Sequence, residues 1–123
     1  MKKNIVVVDD FANTIWVIEF TLKNIDCEIL KANNGKEALS FFDGRKIDLL
    51  ITDLNMPVMD GIELVKTIKN KPEYRTLPIV MLTTEKKPEL KQKAIDLKIT
   101  TWMQKPFQTE EFIKVMKKCL QIS

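Results

Sequence analysis

The stretch that most limits what this chain can become is Leu49-Leu50-Ile51-Thr52-Asp53, a run without polar alternation that stops at a carboxylate. A strand buried on both faces of a sheet reads this way, because neither side chain direction meets water. Asp53 therefore stands where a core strand reaches solvent. Pro57 bars further sheet pairing, and Asp60-Gly61 offers a helix N-cap ahead of the apolar-spaced Ile62, Leu64, Val65 and Ile68. The stretch is a strand, an acidic tip, a rigid loop and a helix. Ligands of open α/β sheets bind just outside the carboxyl ends of such strands. Asp53 is thus a candidate functional residue, although a loop-capping aspartate would look the same in isolation.

The same grammar recurs along the chain. Asn4 to Val8 is an apolar, β-branched run ending in Asp9-Asp10. Asn13 to Asn24 reads as a helix with Val17, Ile18, Thr21, Leu22 and Ile25 on its inner stripe, while Trp16 and Phe20 widen its apolar arc. Glu28 to Ala32 is a strand, Asn33-Asn34-Gly35 a turn, and Lys36 to Phe42 a helix turning Ala38, Leu39 and Phe42 inward. Asn70-Lys71-Pro72 stops the helix that follows Asp60. Leu77 to Leu82 is a fourth strand, ending at Thr83-Thr84. Pro88 suits the first turn of a helix reaching Leu97, with Leu90, Ala94 and Leu97 at core spacing. Thr101 to Gln104 is a fifth strand, ending at Lys105-Pro106. Thr109 is the expected N-cap of a last helix that buries Phe112, Met116, Cys119 and Leu120. Strand and helix alternate five times, which predicts one α/β domain over residues 1–123: a parallel five-stranded sheet between two helical layers, joined by right-handed crossovers. Five strands fit the flavodoxin-like (βα)5 three-layer order 2-1-3-4-5.

Composition narrows the function. A net charge of +3, from 20 basic and 17 acidic residues, argues against nucleic-acid binding, and no basic-aromatic ribbon supports it. No apolar run approaches the roughly 18 residues of a membrane span. The opening Lys2-Lys3-Asn4-Ile5-Val6-Val7-Val8 imitates a signal peptide, but Asp9-Asp10 cut its apolar run short. A cytoplasmic location is expected, with Cys27 and Cys119 as free thiols outside any metal-ligand spacing. The absence of histidine excludes a phosphohistidine intermediate within the chain and any imidazole-based triad.

In a 2-1-3-4-5 sheet, strands one, three, four and five are neighbours about 4.8 Å apart. Their carboxyl ends bring Asp9 and Asp10, Asp53, Thr83 and Lys105 to one crevice. Each alone is also what a solvated strand end or helix cap looks like; together they are not. Like charges 4 to 6 Å apart at a dielectric near 20 repel by roughly 3 to 4 kcal/mol per pair. Either one carboxylate is protonated or a cation binds. Hard carboxylate oxygens suit Mg2+, which keeps several waters and takes a substrate phosphate. A nucleophile, a metal, a fixed ammonium and a hydroxyl donor form the set that phosphoryl transfer requires. Asp53, between the metal side and the Thr83/Lys105 side, is the candidate nucleophile.

With these residues in place the sequence resembles the CheY-like receiver domains of two-component response regulators. The motifs carrying the resemblance are Val-Val-Asp-Asp at 7–10, Asp-Leu-Asn-Met-Pro-Val-Met-Asp-Gly at 53–61, Leu-Pro-Ile-Val-Met-Leu-Thr-Thr at 77–84 and Lys-Pro-Phe at 105–107. The resemblance implies that Asp53 accepts a phosphoryl group from a histidine kinase. Asp9 and Asp10 would hold Mg2+, or Mn2+ in its stead, together with Asp53 and the backbone carbonyl of Asn55. Thr83 would be the switch hydroxyl, Lys105 would bind phosphoryl oxygens, and the Lys105-Pro106 bond would be cis. The aromatic switch position falls on Trp102, where the family usually has tyrosine or phenylalanine. Lys98-Ile99-Thr100 also departs from the glycine and alanine the family often places there. Asn55 and Glu85 occupy the positions that tune phosphoryl lifetime, and resemble the stand-alone chemotaxis regulators.

The family's signalling face, on the fourth helix, fifth strand and fifth helix, would here carry Lys91, Ile95, Trp102, Gln104 and Lys118. A chain ending with the fifth helix is expected to signal by protein contact, as a monomer or weak dimer. Its partner would be an output protein such as a flagellar motor switch, or a phosphotransfer protein. Catalysis beyond its own phosphorylation and dephosphorylation is not expected. A small Mg2+-dependent phosphatase would want a second carboxylate where Asn55 stands. A flavodoxin-type electron carrier would want a Ser/Thr/Gly-rich phosphate loop where Asp9-Asp10 stand. A phosphorelay intermediate, or the receiver of a larger regulator or hybrid kinase, fits the same motifs.

Overall fold

The computed structural model describes residues 2–123. Its strands are β1 (Lys3–Val8), β2 (Cys27–Ala32), β3 (Leu49–Thr52), β4 (Ile79–Thr83) and β5 (Thr101–Gln104). All pair in parallel, in the order β2-β1-β3-β4-β5, as the pattern of alternation predicts. The helices are α1 (Ala12–Thr21), α2 (Gly35–Leu39), α3 (Gly61–Lys69), α4 (Pro88–Asp96) and α5 (Thr109–Leu120), with a 3-10 turn at Pro72–Tyr74.

Each central strand divides its side chains between two cores. Val6 and Val8 of β1, Leu50 of β3 and Ile79 and Met81 of β4 pack with Ala38 of α2, Leu64, Val65 and Ile68 of α3 and Ala94 of α4. Ile5, Val7, Leu49, Ile51, Val80 and Leu82 face the opposite layer, where Ile15, Ile18 and Leu22 meet Phe112, Met116 and Leu120 of α5. This period-two partition is why the strand sequences run apolar without alternation. The expected sandwich of three layers is present. Among the described residues no helix is long and apolar enough to cross a membrane.

The differences from the sequence reading have local causes. The inner stripe of α1 is Ile15, Ile18 and Leu22; Val17 and Trp16 are exposed and Thr21 only half-buried. A helix apolar nearly all round offers several stripes, and only spacing about Ile18 in steps of three and four selects the real one. The helix after β2 ends at Leu39, and Phe42 reaches the core from the turn beyond it. Thr109 is the first helical residue of α5; Gln108, in extended conformation, is its N-cap and makes no side-chain cap bond. The Asp60 cap is as expected, with a reciprocal Glu63 contact. Lys105-Pro106 is cis.

Candidate functional site

Parallel pairing lines up the strand ends. Val8 pairs with Thr52, and Thr52 with Met81, so Asp9 and Asp53 emerge side by side. The backbone N–H of Asp53 donates to the Val8 carbonyl at 3.1 Å, extending the ladder to the tip of β3. Thr83 pairs with Gln104, and the Lys105 N–H donates to the Thr83 carbonyl at 3.0 Å, which brings Lys105 over the same edge.

Lys105 closes the cleft. Its Nζ donates to Asp9 Oδ2 at 2.6 Å and to Asp53 Oδ2 at 2.8 Å. The remaining carboxylate oxygens take backbone donors: Asp9 Oδ1 from the Phe11 N–H at 2.9 Å, Asp53 Oδ1 from the Leu54 N–H at 2.6 Å. Both aspartates are buried, whereas Asp10 is exposed. Burial pushes the Asp9 carboxyl above the usual carboxylate range, against the pull of the Lys105 ammonium. Lys105 is itself half-buried, which alone would lower its pKa; the hydrogen bonds it donates to Asp53 and Asp9, with their negative charge, outweigh this and raise it.

Asp9, Asp10 and Asp53 can each present an oxygen within 4.8 Å of the other two. One ammonium faces three carboxylates, so the cluster is short of positive charge when all three ionise. An all-oxygen, charge-deficient donor set fits a hard divalent cation of the Mg2+ type.

Thr83 is fully buried, and its hydroxyl accepts the Glu85 N–H at 3.1 Å. Asn55 and Glu85, thirty residues apart, join across the cleft through Nδ2 to Oε1 at 3.0 Å. That bond, with the Lys87 and Lys86 backbone donors on the same carboxylate, holds the Glu85 pKa down. Trp102 is half-buried against the α2–α4 core rather than lying in the cleft. Lys91, Ile95, Gln104 and Lys118 are exposed on α4, β5 and α5.

Two residues of the site escaped the sequence reading in their actual roles. Gly61 was visible only as part of a cap; here its N–H donates to the Leu54 carbonyl at 2.8 Å, and a Cβ on it would overlap the Asp53 carbonyl oxygen and come 2.9 Å from Leu54 Cα. Gln104, expected as surface, donates its amide to the Thr83 and Glu85 carbonyls, each at 3.1 Å. The Asp-Gly pair that follows the acidic tip is the signal for the first. Nothing local announces the second.

A family model described as the response regulator receiver domain matches residues 5–117. Among solved structures, chemotaxis protein CheY4 of Vibrio cholerae superposes with a TM-score of 0.89 at 36% identity, over 98% of this chain and all of that one. Chemotaxis protein CheY1 of Helicobacter pylori is 32% identical over 120 residues, covering 96% of this chain and 94% of that protein. The alkaline phosphatase synthesis transcriptional regulatory protein PhoP of Bacillus subtilis is 31% identical over 123 residues, and there the chain spans half of the relative's length.

Proposed function

The chain belongs to the response regulator receiver domain family, and on that premise we propose that it is a single receiver domain over residues 1–123 whose phosphoacceptor is Asp53. The observation that carries this reading is the bridge from Lys105 Nζ to Asp9 Oδ2 and Asp53 Oδ2 at the end of the sheet. The Asp53 carboxylate oxygen attacks the phosphorus of a phosphohistidine on a kinase partner. A P–O bond forms to the carboxylate as the P–N bond breaks, and the donor imidazole leaves with the electron pair and takes up a proton. Hydrolysis of the acyl phosphate by water returns the carboxylate and releases phosphate.

The work of the protein is placement and charge. The Leu54 N–H holds Asp53 Oδ1, so Oδ2, the oxygen paired with Lys105, is the nucleophile. Lys105 serves the transferred phosphoryl oxygens, exchanging a carboxylate partner for a more highly charged one. Asp9, Asp10, Asp53 and the Asn55 carbonyl would hold Mg2+, which supplies neutralising charge to the phosphoryl oxygens. Mn2+ would serve as a substitute. Thr83 donates its hydroxyl to the new phosphoryl group, drawing the loop after β4 with it. Asn55 and Glu85, already bonded to each other over the cleft, govern water access and so the lifetime of the adduct. The population of α4–β5–α5 conformers then shifts toward one that binds an output partner, through Lys91, Ile95, Trp102, Gln104 and Lys118.

A chemotaxis-type output in the cytoplasm, such as a flagellar motor switch, is supported by the near-complete coverage of CheY1 and CheY4. The full-chain match to half of PhoP supports the other reading, a receiver that belongs to a longer regulator or passes its phosphoryl group onward. Intact mass after incubation with acetyl phosphate tests the common core. One base-labile phosphoryl adduct is expected, requiring both Mg2+ and Asp53 and absent from Asp53→Asn. An equal adduct on that variant would place the acceptor elsewhere, and none on the wild type would remove the phosphoryl reading altogether.

A further inference from the structure

We propose that Gln104 is a positioning residue of the switch: its side-chain amide tethers the loop after β4 to β5, and so sets how readily that loop leaves its resting place. The proposal rests on the receiver reading of Asp53 and gives Gln104 a role in the switch beyond its place on the partner-binding face.

Gln104 ends β5 and pairs directly with Thr83. It is exposed, where a glutamine ordinarily spends its amide on water. Here Nε2 lies 3.1 Å from the Thr83 carbonyl and 3.1 Å from the Glu85 carbonyl, so one hydrogen is committed to the last residue of β4 and the other to the loop beyond it. Glu85 is the hub of that loop. Its N–H holds the Thr83 hydroxyl, and its carboxylate takes the Asn55 amide and the N–H groups of Lys86 and Lys87. The Asn55 contact holds a flexible side chain and can follow a moving loop. The Gln104 contacts hold two carbonyls of the backbone itself and must lengthen when residues 83–85 are displaced relative to β5. Because Thr83 is fully buried, reaching a phosphoryl group on Asp53 draws on that same backbone. The tether therefore weights the equilibrium toward the unmodified arrangement.

Two variants of the full chain separate the donor from the shape: Gln104→Met keeps the length without a donor, and Gln104→Glu keeps the outline but places an acceptor against two carbonyls. Native-state amide exchange is read at Glu85, Lys86 and Lys87, with Leu82 of β4 as the internal reference. Loss of the tether is expected to speed exchange at the three loop amides by about tenfold in both variants, the size of one or two hydrogen bonds, with Leu82 unchanged. The rate of adduct formation from acetyl phosphate and Mg2+ is expected to rise severalfold, an increase that general loosening of the fold would not produce. Unchanged loop exchange in Gln104→Met overturns the tether. Faster exchange with an unaltered or slower modification rate overturns the positioning role and leaves Gln104 as an extension of the β4–β5 ladder. A wild type that takes up no phosphoryl group overturns the receiver reading and the switch role with it, and is told apart by the mass of the wild-type protein alone.

Discussion

At the centre of the cleft the balance of charge hangs on one atom, Lys105 Nζ, which serves two buried carboxylates at 2.6 and 2.8 Å. Removing it leaves Asp9 and Asp53 as like charges with no counter-ion, and a buried charge that loses its partner keeps its desolvation cost. Lys105→Met is expected to lower stability at neutral pH by about 2 kcal/mol, read from the denaturant midpoint, with part of the loss recovered in the double variant with Asp9→Asn. No loss would mean that the aspartates never depended on the ammonium. The thiols give a pH-dependent expectation. Burial raises the pKa of Cys27, helped by Asp26, and burial likewise raises Cys119. A raised thiol pKa means less thiolate at a given pH, so alkylation of the native protein at pH 8 is expected to lag the unfolded chain, with the gap narrowing as pH rises through the native values. Equal rates at pH 8 would contradict the burial of Cys119 and the partial burial of Cys27.

Elements position these residues, and here the sequence is legible to different depths. β3 and β5 have the bounds their residues predict, because each is short and stopped by a charge or a proline. Asp9 and Asp53 were legible because each follows the last residue of a strand that ends buried, and Lys105 because it follows the short β5 and precedes a proline. The inner stripe of α1 was legible only in part: Ile18, Leu22 and Ile25 meet the core as read, whereas Ile15 was missed and Val17 misassigned because Trp16, Val17 and Phe20 make apolar character a poor guide to facing. The roles of Gly61 and Gln104 were not legible, since they depend on approach between segments that are distant along the chain. Gly61 lets the N-terminus of α3 sit against the Asp53 backbone. Gly61→Ala places a methyl on rigid backbone atoms, so about 2 kcal/mol of destabilisation is expected together with slower adduct formation; full activity and stability would show that the loop can yield. At the far end of α5, Gln121 takes a left-handed conformation at φ 56 while Ile122 and Gln121 donate to the carbonyls of Lys117 and Lys118. This is the closing motif in which glycine is preferred. Gln121→Gly is expected to add about 0.5 to 1 kcal/mol, seen as a higher thermal midpoint with adduct formation unchanged.

The whole molecule carries the cost of gathering acidic groups at one edge of the sheet, and a divalent cation should reverse the sign of that cost. Three carboxylates within 4.8 Å repel in its absence. Asp10 is the exposed member, so its share lies near the aqueous limit, about 1 kcal/mol for a pair at this distance. Asp10→Asn is therefore expected to be slightly more stable than the wild type in chelator. Binding to the folded state alone stabilises by RT ln(1 + [L]/Kd), about 2.7 kcal/mol at a hundredfold excess over Kd. The wild type should gain that as Mg2+ is raised, while Asp10→Asn, which lacks one anionic ligand, should gain much less at the same concentration. The two melting curves, plotted against Mg2+, are then expected to cross. Parallel curves would mean that Asp10 is not a ligand, and a wild type insensitive to Mg2+ would mean that the acidic edge is neutralised by Lys105 and protons alone. The crossing needs no phosphoryl donor, and so it tests the metal site independently of the chemistry at Asp53.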